Sequence, residues 1–498
     1  MSAVADETTD VVVVGAGAAG LYAALCAARA CAAVTVVSAT PLADTASYWA
    51  QGGVAAALAV DDDPAAHLAD TERAGRGLVR RSAAEVLCRE APDAVLDLES
   101  LGVRFDADRH GHRVLGLEGG HTRRRVVHAG GSATGRRLVR QLSARLVKHP
   151  GVTVLERTRA AAIWTSDDRC VGVVTEDGRA VAARATILAC GGSAALWSRT
   201  TNPPGSVGIG SQLAFAAGAE LADLEFVQFH PTAVTGIPGR EGFLVTEAIR
   251  GEGATLLDAS GARFVDELAP RDEVALAVWR TMRADGRDHV LLDMRDVDPG
   301  GFPNVVGALR ESGLDPATAL VPVSPACHYT MGGVACDLHG ATRVPGLFVV
   351  GETACTGLHG ANRLASNSLA ECIVYGGRAA RAGAEEPALP ARLGAPPTAP
   401  AVQTPSRATR EALWAHAGLE RDAAGLATLL DDPHPLARAI GSAALAREES
   451  RGAHLRLDHP ERDPGLDEVH TVVAGGPDGV PVARRERWAT QVTQAPGA

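Results

Sequence analysis

The chain has 498 residues and a formal net charge of −11, and its residues are 46% hydrophobic, 21% charged and 4% aromatic. These values predict a globular protein of two or three domains. They argue against a nucleic-acid surface, an anionic-membrane surface and a base-stacking binder of single strands. The nine cysteines form no Cys-x-x-Cys pair, which leaves structural zinc, iron–sulfur centres and c-type haem without support and favours reduced thiols in a cytoplasm.

The first informative segment runs from residue 11 to residue 37 and carries a single charge. Such a length could span a membrane, but three glycines interrupt it early. Val11–Val14 therefore predicts a strand, Leu21–Ala30 a helix and Val34–Val37 a second strand, as in a buried βαβ unit. The acidic, polar residues before it are unlike a secretory signal, and we expect a cytoplasmic protein.

A glycine-rich turn of the form G-x-G-x-x-G joins the first strand to the helix. Its glycines permit a tight turn and the approach of a pyrophosphate to the helix N-terminus. An ordinary βα turn is the alternative. Ser38 ends the second strand in place of the acid expected for NAD. The candidate cofactor-binding residues of the turn are Gly15, Ala16, Gly17, Ala18, Ala19 and Gly20.

Further along, apolar runs at 152–155, 161–164, 171–175 and 185–190 predict strands, and Asp177-Gly178 predicts a hairpin turn. Residues 226–335 hold more His, Arg and Glu and few long apolar runs, which indicates an inserted domain. Prolines then mark a linker, and helical periodicity follows it. We predict a nucleotide-binding domain at 1–225 and 337–385, a capping domain at 226–336, a linker at 386–406, and a helical domain with a tail at 407–498.

The segment from residue 351 to residue 372 combines three features. Glu352 follows the apolar run Leu347–Val350, so that a buried strand can present its carboxylate to a ribose hydroxyl. A glycine-rich loop then carries one cation, Arg363. Ser366 to Leu369 open a predicted helix, whose free N–H groups can hold an electron-rich ring edge. One segment can thus contact a dinucleotide, a flavin ring and an anionic substrate.

This segment resembles the late motif of the succinate dehydrogenase, fumarate reductase and L-aspartate oxidase flavoproteins in length, order and residue types. The resemblance covers residues 10–380 and, more weakly, Glu449–His454. It implies an α/β plus α fold, with a Rossmann-like, glutathione-reductase-like FAD-binding domain, an inserted α+β capping domain and a C-terminal helical domain. It also implies FAD as the cofactor. Residues 47–54 resemble the flavin-contacting loop, for which a glycine-rich surface loop is the alternative.

Membrane-bound relatives place in this loop a histidine that bonds covalently to the flavin. The matching residue here is Ala46, so we expect noncovalent FAD. Two positions depart from the family's cofactor pattern, where Ile209 and Ser132 each replace an aspartate. Beyond the glycine-rich turn, the cofactor-binding residues that the resemblance implies are Ser38, Ser47, Gln51, Gly52, Gly53, Glu352, Asn367, Ser368 and Leu369.

The resemblance also implies a clamp for a four-carbon dicarboxylate. Arg363 and His328 would hold one carboxylate by charged, bidentate contacts, and His230 with Thr246 would hold the other. Catalytic roles are implied for both histidines and for a proton route through Glu247, Arg250 and Arg271. Arginine has a pKa above 12 and can release a proton only transiently. A structural ion-pair network is the alternative interpretation of these three residues.

Glu118, before the Gly119-Gly120 pair, distinguishes the branches of the family. Aspartate oxidases carry an acid there, whereas succinate and fumarate enzymes carry an apolar residue. A carboxylate is the natural partner of the ammonium group that aspartate has and succinate lacks. The alternative is a surface glutamate before a glycine turn.

The resemblance therefore implies oxidation of L-aspartate to iminoaspartate, the first step of NAD synthesis from aspartate. Dioxygen or fumarate would accept the electrons, and quinolinate synthase would take the product. A monomer or a homodimer, without nucleic acid or membrane, is expected. One alternative is a soluble fumarate reductase or succinate dehydrogenase flavoprotein subunit. Another is a flavin-bearing RNA-modification or scaffold protein, whose binding to RNA would fall steeply with salt.

Overall fold

The computed structural model describes residues 5–30, 32–42, 44–476 and 479–488. The strands in chain order are β1 (Glu7–Val14), β2 (Val34–Ser38), β3 (Val54–Ala55), β4 (Leu115–Gly116), β5 (Val126–Val127), β6 (Val152–Glu156), β7 (Ala160–Ser166), β8 (Arg169–Thr175), β9 (Ala180–Leu188), β10 (Leu221–Ala222), β11 (Val227–Val234), β12 (Thr255–Leu257), β13 (Val290–Asp293), β14 (Val321–Thr330), β15 (Gly333–Ala335), β16 (Leu347–Val349), β17 (Ala354–Cys355), β18 (Val469–Gly475) and β19 (Pro481–Arg487).

The helices follow the same chain order. They are α1 (Ala18–Arg29), α2 (Pro64–Ala74), α3 (Arg81–Ser100), α4 (Thr134–Leu146), α5 (Ile209–Ala216), α6 (Ala248–Gly251), α7 (Arg271–Ala284), α8 (Pro303–Glu311), α9 (Asn367–Ala384), α10 (Arg407–His416), α11 (Ala423–Thr428) and α12 (Pro435–Ala446). Among the described residues no helix combines the length and the apolar character that crossing a membrane requires.

The main sheet has the strand order β6-β2-β1-β9-β8-β7, with β16 paired to β9. β1 lies between β2 and β9 and is parallel to both. Its residues 11–14 are buried, because strands inside a parallel sheet are covered on both faces and need apolar side chains throughout. The predicted βαβ unit is confirmed, and β16 brings the chain back to this sheet just before Glu352.

The predicted hairpin between β8 and β9 is also confirmed. The two strands are antiparallel, with Val174 opposite Ala180. Gly178 N–H donates to the Thr175 carbonyl at 2.9 Å. Gly178 has φ +84°, a left-handed conformation that a glycine adopts without steric cost.

A second region consists of the sheet β11-β14-β13-β12 and the helices α7 and α8. It has an apolar cluster of its own, which includes Val234, Val278, Leu292, Val306 and Val323. The first strand, β11, carries His230, and β14 carries His328. Because these strands are antiparallel neighbours, residues about a hundred positions apart meet across one ladder.

The expectation of a helical domain with a tail at residues 407–498 needs correction. Helices α10, α11 and α12 occupy its first part, but β18 and β19 follow and pair with each other. β18 also pairs with β10, within the sheet β17-β15-β10-β18-β19. Helical periodicity was a correct signal for residues 407–446, whereas strand formation after residue 468 depends on partners distant in the chain.

The proline-rich segment between α9 and α10 is fastened to the main sheet. Trp164 Nε1 donates to the Gly394 carbonyl at 3.0 Å, and Gly394 N–H donates to Ser166 Oγ at 3.0 Å. Ala401 N–H donates to the Ala161 carbonyl at 2.8 Å. The segment therefore runs along β7 and is bonded to it. Proline favours an extended backbone and does not prevent such packing.

Candidate active site

The glycine-rich turn places main-chain N–H groups where the first helix begins. Gly15 has φ +110°, and a side chain there would collide with the carbonyl of Ala189. Gly17, at the start of α1, has no side chain to cap the helix, and the first turn holds no acid. Ala18 N–H donates to Ser47 Oγ at 3.1 Å, which joins the turn to the predicted flavin loop. A helix start of this kind fits a pyrophosphate.

The second helix N-terminus, that of α9, also fits the cofactor. Ser366 precedes it with φ +58°, and no side chain among the described residues caps the helix. Ser366 Oγ accepts from Gly53 N–H at 3.1 Å. Two side-chain oxygens in or just before the flavin loop, Thr45 Oγ1 and Gln51 Oε1, are buried and have no hydrogen-bond partner in the described part of the chain. Buried polar atoms without partners are rare in folded proteins, and these fit a polar ligand edge such as that of FAD.

Glu352 and Ser38 lie at the ends of main-sheet strands, as the cofactor prediction requires. Glu352 Oε1 accepts from Thr330 N–H at 2.9 Å, and burial raises the pKa of this carboxyl to about 7. Gly192 packs against this carboxylate and leaves no room for a side chain. Ser38 Oγ donates to the Thr40 carbonyl at 2.7 Å.

Three other predicted cofactor residues use their side chains within the protein. Asn367 Oδ1 faces His67 Nε2 at 2.8 Å, and its Nδ2 donates to Thr71 Oγ1 at 3.1 Å. Leu369 packs in the core beside α1. Ser368 Oγ lies 3.5 Å from an Arg363 nitrogen. Asn367 and Leu369 can therefore offer a cofactor their main-chain groups, which sequence alone does not distinguish from side-chain contacts.

The glycines of the flavin loop have steric reasons to be glycine. A side chain at Gly53 would collide with the main chain of Val127, and one at Gly52 would press on Ser366 Oγ, 3.3 Å from its Cβ. The two departures from the family pattern lie elsewhere. Ile209 packs against the apolar cluster beneath the main sheet, and Ser132 Oγ accepts from Asn304 Nδ2 of α8 at 3.0 Å.

The predicted proton route is a contiguous charge cluster. Arg271 Nε donates to Glu247 Oε2 at 2.5 Å, and Arg250 Nη2 lies 3.9 Å from the same oxygen. Burial opposes ionisation of Glu247, but the two arginines outweigh it and lower the carboxyl pKa. Burial lowers the pKa of Arg250. Arg250 Nε and Nη2 have no partner within the described residues, so this side chain still has donors for an anion.

The two histidines face each other across β11 and β14. Their ring centroids are 5.3 Å apart at 64°. His230 Nδ1 accepts from Thr232 N–H at 3.3 Å, so the proton of the neutral ring is on Nε2. His328 Nδ1 lies 2.8 Å from Thr201 Oγ1. Burial, together with nearby arginines, lowers the pKa of both rings well below the usual value, and both are neutral at pH 7.

Arg363 is buried, and no carboxylate among the described residues forms an ion pair with it. Its Nη2 donates to Gln228 Oε1 at 2.8 Å, and its guanidinium carbon lies 4.5 Å above the Tyr329 ring. Its Nε has no partner among the described residues. Burial, then repulsion from Arg271, lowers its pKa to about 10. A cation in this state is complementary to a carboxylate, which can accept bonds from two guanidinium nitrogens.

Glu118 belongs to the same site. Its Oε2 accepts from Ser366 Oγ at 2.5 Å, and His128 Nε2 lies 3.6 Å from its Oε1. The next residue, Gly119, is so close to Glu247 that an added Cβ would lie 2.5 Å from Glu247 Oε1. The side chain is 23% exposed, unlike a freely solvated surface glutamate. Thr246, directly before Glu247, is half-buried.

Sequence reasoning missed two residues that hold this site together. Gln228 fixes Arg363 and also donates from Nε2 to Asn362 Oδ1 at 2.8 Å. Ser366 joins the flavin loop to Glu118. Gln228 lies two residues before His230 on one strand, so the period of two that places them on the same face was an available signal. No sequence signal indicated the contact between Ser366 and Glu118, which are 248 positions apart in the chain.

Comparisons with known proteins agree with this geometry. The family model described as FAD binding domain matches residues 10–369, and the one described as Fumarate reductase flavoprotein C-term matches residues 422–492. Two solved structures share the fold. A quinol-fumarate reductase with menaquinol molecules has a TM-score of 0.88 at 27% identity and covers 98% of this chain and 99% of that one. Mycobacterium smegmatis Sdh1 in complex with UQ1 has 0.86 at 28%, covering 98% and 96%.

Relatives named L-aspartate oxidase are more similar in sequence. That of Streptomyces coelicolor is 43% identical, over 94% of this chain and 92% of its own length. That of Caulobacter vibrioides is 46% identical, over 91% and 94%. These matches extend over nearly the whole of both proteins. The chain therefore belongs to the L-aspartate oxidase family of FAD-dependent oxidoreductases.

Proposed function

We propose that this protein oxidises L-aspartate to iminoaspartate with FAD as its cofactor. The observation that carries the proposal is Glu118, a carboxylate that accepts from Ser366 and directly precedes Gly119, which lies against Glu247, at a site otherwise rich in arginine and histidine. Succinate and fumarate bring no ammonium group to this carboxylate, which is 23% exposed, and a poorly solvated charge gains from an opposite charge. L-Aspartate supplies an ammonium group for it. The fumarate reductase alternative is not favoured, since the L-aspartate oxidases are the more similar relatives.

The substrate carboxylates have matching donors at both ends of the site. Arg363 and His328 bind one carboxylate, for which the unpartnered Nε of Arg363 among the described residues is available. His230 and Thr246 bind the other, since the proton on His230 Nε2 makes that atom a donor. Residues 226–336, which carry most of these side chains, act as a cap over the cofactor domain.

When bound, FAD would supply an acceptor for the hydride of the substrate α-carbon. The amine must be neutral before that step, and the chain Glu247, Arg250 and Arg271 handles protons near the reacting carbons. The proton that the substrate ammonium group loses can pass to Arg271 only while the proton of Arg271 is transiently on Glu247, which is in direct contact with it and then passes the proton on to solvent. Burial of the pair excludes water and strengthens each charge interaction.

The electrons pass on to dioxygen or fumarate. Iminoaspartate hydrolyses readily, so the next enzyme has to consume it promptly, and we assign that place to quinolinate synthase in NAD synthesis. This order implies a cytoplasmic protein with small-molecule substrates.

Anaerobic bleaching of the flavin tests the proposal directly. L-Aspartate should bleach the flavin of the wild type, whereas succinate should not. Glu118→Gln should lower the bleaching rate at limiting L-aspartate by about 10- to 100-fold, since a hydrogen bond to a charged group contributes about 1.5–3 kcal/mol. Glu411→Gln, at an exposed glutamate that pairs with Arg407, is the matched control. Bleaching by succinate alone would contradict the proposal.

A further inference from the structure

Ser366 occupies an unusual position between the flavin loop and Glu118. It is 5% exposed and has φ +58°, a left-handed conformation that residues with a Cβ seldom adopt. Its carbonyl accepts from Ala55 N–H at 3.2 Å. Residues retain such conformations where the surrounding structure requires them, often at functional sites.

The hydroxyl of Ser366 makes two bonds with opposite roles. It accepts from Gly53 N–H at 3.1 Å and donates to Glu118 Oε2 at 2.5 Å. A hydroxyl has a single proton, so the bond to Glu118 uses the only hydrogen-bond donor of the Ser366 side chain. A bond of this length to an ionised carboxylate is a strong, charge-assisted one. The flavin loop and the carboxylate are thus aligned by one oxygen atom.

The second oxygen of Glu118 is less tightly held. His128 Nε2 lies 3.6 Å from this oxygen, which is longer than a hydrogen bond. Resting on the proposed function, we propose that Ser366 is a positioning residue for substrate specificity. By binding Oε2 it turns Oε1 toward the substrate ammonium group, and by binding Gly53 it sets that oxygen at a fixed distance from the cofactor loop.

The proposed role and a purely structural role of Ser366 predict different effects of substitution on different ligands. A serine that only supports the flavin loop affects every dicarboxylate alike, because all of them lie over the same cofactor. A serine that positions Glu118 affects only ligands with an ammonium group. Succinate, which has both carboxylates and no ammonium group, is therefore the diagnostic ligand.

The experiment uses the FAD-loaded protein with Ser366→Ala and Ser366→Gly, each alone and combined with Glu118→Gln. Both variants lack the hydroxyl, but glycine adopts φ +58° without the steric cost that alanine bears. The readouts are kcat/KM for L-aspartate, the Kd of succinate from the flavin absorbance change, and the FAD retained on dilution. Ser100→Ala, at an exposed helix end, is the control.

We expect both single variants to lose about tenfold in kcat/KM for L-aspartate, as for a lost hydrogen bond to a charged group, and to bind succinate within about twofold of the wild type. In the Glu118→Gln background the further loss should be less than about twofold. Equal losses for both ligands, an undiminished loss in the Glu118→Gln background, or full activity of Ser366→Gly would each overturn the inference. A wild type that L-aspartate does not bleach would instead refute the proposed function.

Discussion

Two of the charge clusters within the described residues differ in how completely their hydrogen-bonding groups are used. One, the substrate cluster, consists of His230, Glu247, Arg250, Arg271, His328 and Arg363. The other, the C-terminal cluster, consists of Glu225, Arg447, Glu449, Arg451 and His454. Both are rich in arginine, so residue type alone would rank them equally as candidate sites, although Glu247 and Arg271 of the substrate cluster are 27% and 19% exposed.

Arg451 and Arg363 show the difference most clearly. Arg451 donates to both oxygens of Glu449, to Asp467 and to the carbonyls of Arg76 and Asp463. Arg363 donates to Gln228 at 2.8 Å, and its Nε has no partner among the described residues. Five bonds satisfy a guanidinium completely. Arg451 is therefore committed to the fold, while Arg363 has donors left for an anion.

The contrast has exceptions that limit it. Glu225 Oε2, in the C-terminal cluster, and Arg421 Nη2, beside it, also have no partner within the described residues. Glu225 is nevertheless ion-paired with Arg447 at 2.6 Å. The informative quantity is thus the number of unused donors on a charge without a counter-ion. By that measure Arg363 differs from Arg447 and Arg451 of the C-terminal cluster, whereas Arg421 beside that cluster shares the unused donor.

The largest expected effect comes from Arg363→Met. Removing one partner of a buried charge pair costs about 2–5 kcal/mol, so kcat/KM for L-aspartate should fall by more than about 30-fold. Thermal stability should stay equal or rise, because the unpaired buried charge is lost. Arg363→Lys keeps the charge without the planar fork and should be intermediate. If Arg363→Met instead lowered stability while each folded molecule kept its activity, Arg363 would be a structural residue and the assignment of the substrate cluster would be wrong.

Arg451→Met should have the opposite profile. It removes one of two arginines from Glu449 and should lower the free energy of unfolding by about 3–5 kcal/mol, as for a broken buried ion pair. Succinate binding by the folded protein should change little. Urea unfolding measures the first effect and flavin absorbance the second. The matched variant Arg451→Met with Glu449→Leu should be less destabilised than Arg451→Met alone, and greater destabilisation would contradict a structural role.

The smallest effect concerns pH. Burial, then nearby arginines, holds the pKa of His328 and of His454 well below the usual value. The unfolded chain binds these protons near pH 6.5, so stability is present above about pH 6.5 and falls as the pH decreases, by up to about 1.4 kcal/mol per unit for each histidine. Bound succinate adds negative charge beside His328 only. NMR titration should show its pKa rising by about one unit or more, and an equal rise at His454 would contradict the comparison.

Local patterns predicted the elements that depend on nearby residues. The apolar strand, glycine turn and apolar helix at residues 11–30 were predictable because burial on both faces and tight turns dictate residue types directly. The hairpin at Asp177-Gly178 was predictable for the same reason. Strands β18 and β19 were not, since a strand forms only with its partners, and β10 is some 250 residues away in the chain.

The site divides in the same way. Motif order placed Glu247, Arg250 and Arg271 together as a prediction, and their contacts bear out that they are neighbours. Their catalytic roles stay predictions. The Asn367 side chain is hydrogen-bonded to His67 and Thr71. The sequence could not predict this, because packing from other helices decides which atoms of a residue face a cofactor.

The sequence by itself determined the nucleotide-binding unit, the set of charged residues and the family, because these follow from residue types and short spacings. Only the tertiary structure decided which charges are neutralised inside the protein and which keep donors for a substrate. Only the tertiary structure, too, brought Glu118 next to the flavin loop through the hydrogen bonds of Ser366. The physical reason is that hydrogen-bond satisfaction is a property of three-dimensional neighbours, and residues 118 and 366 become neighbours only when the chain folds.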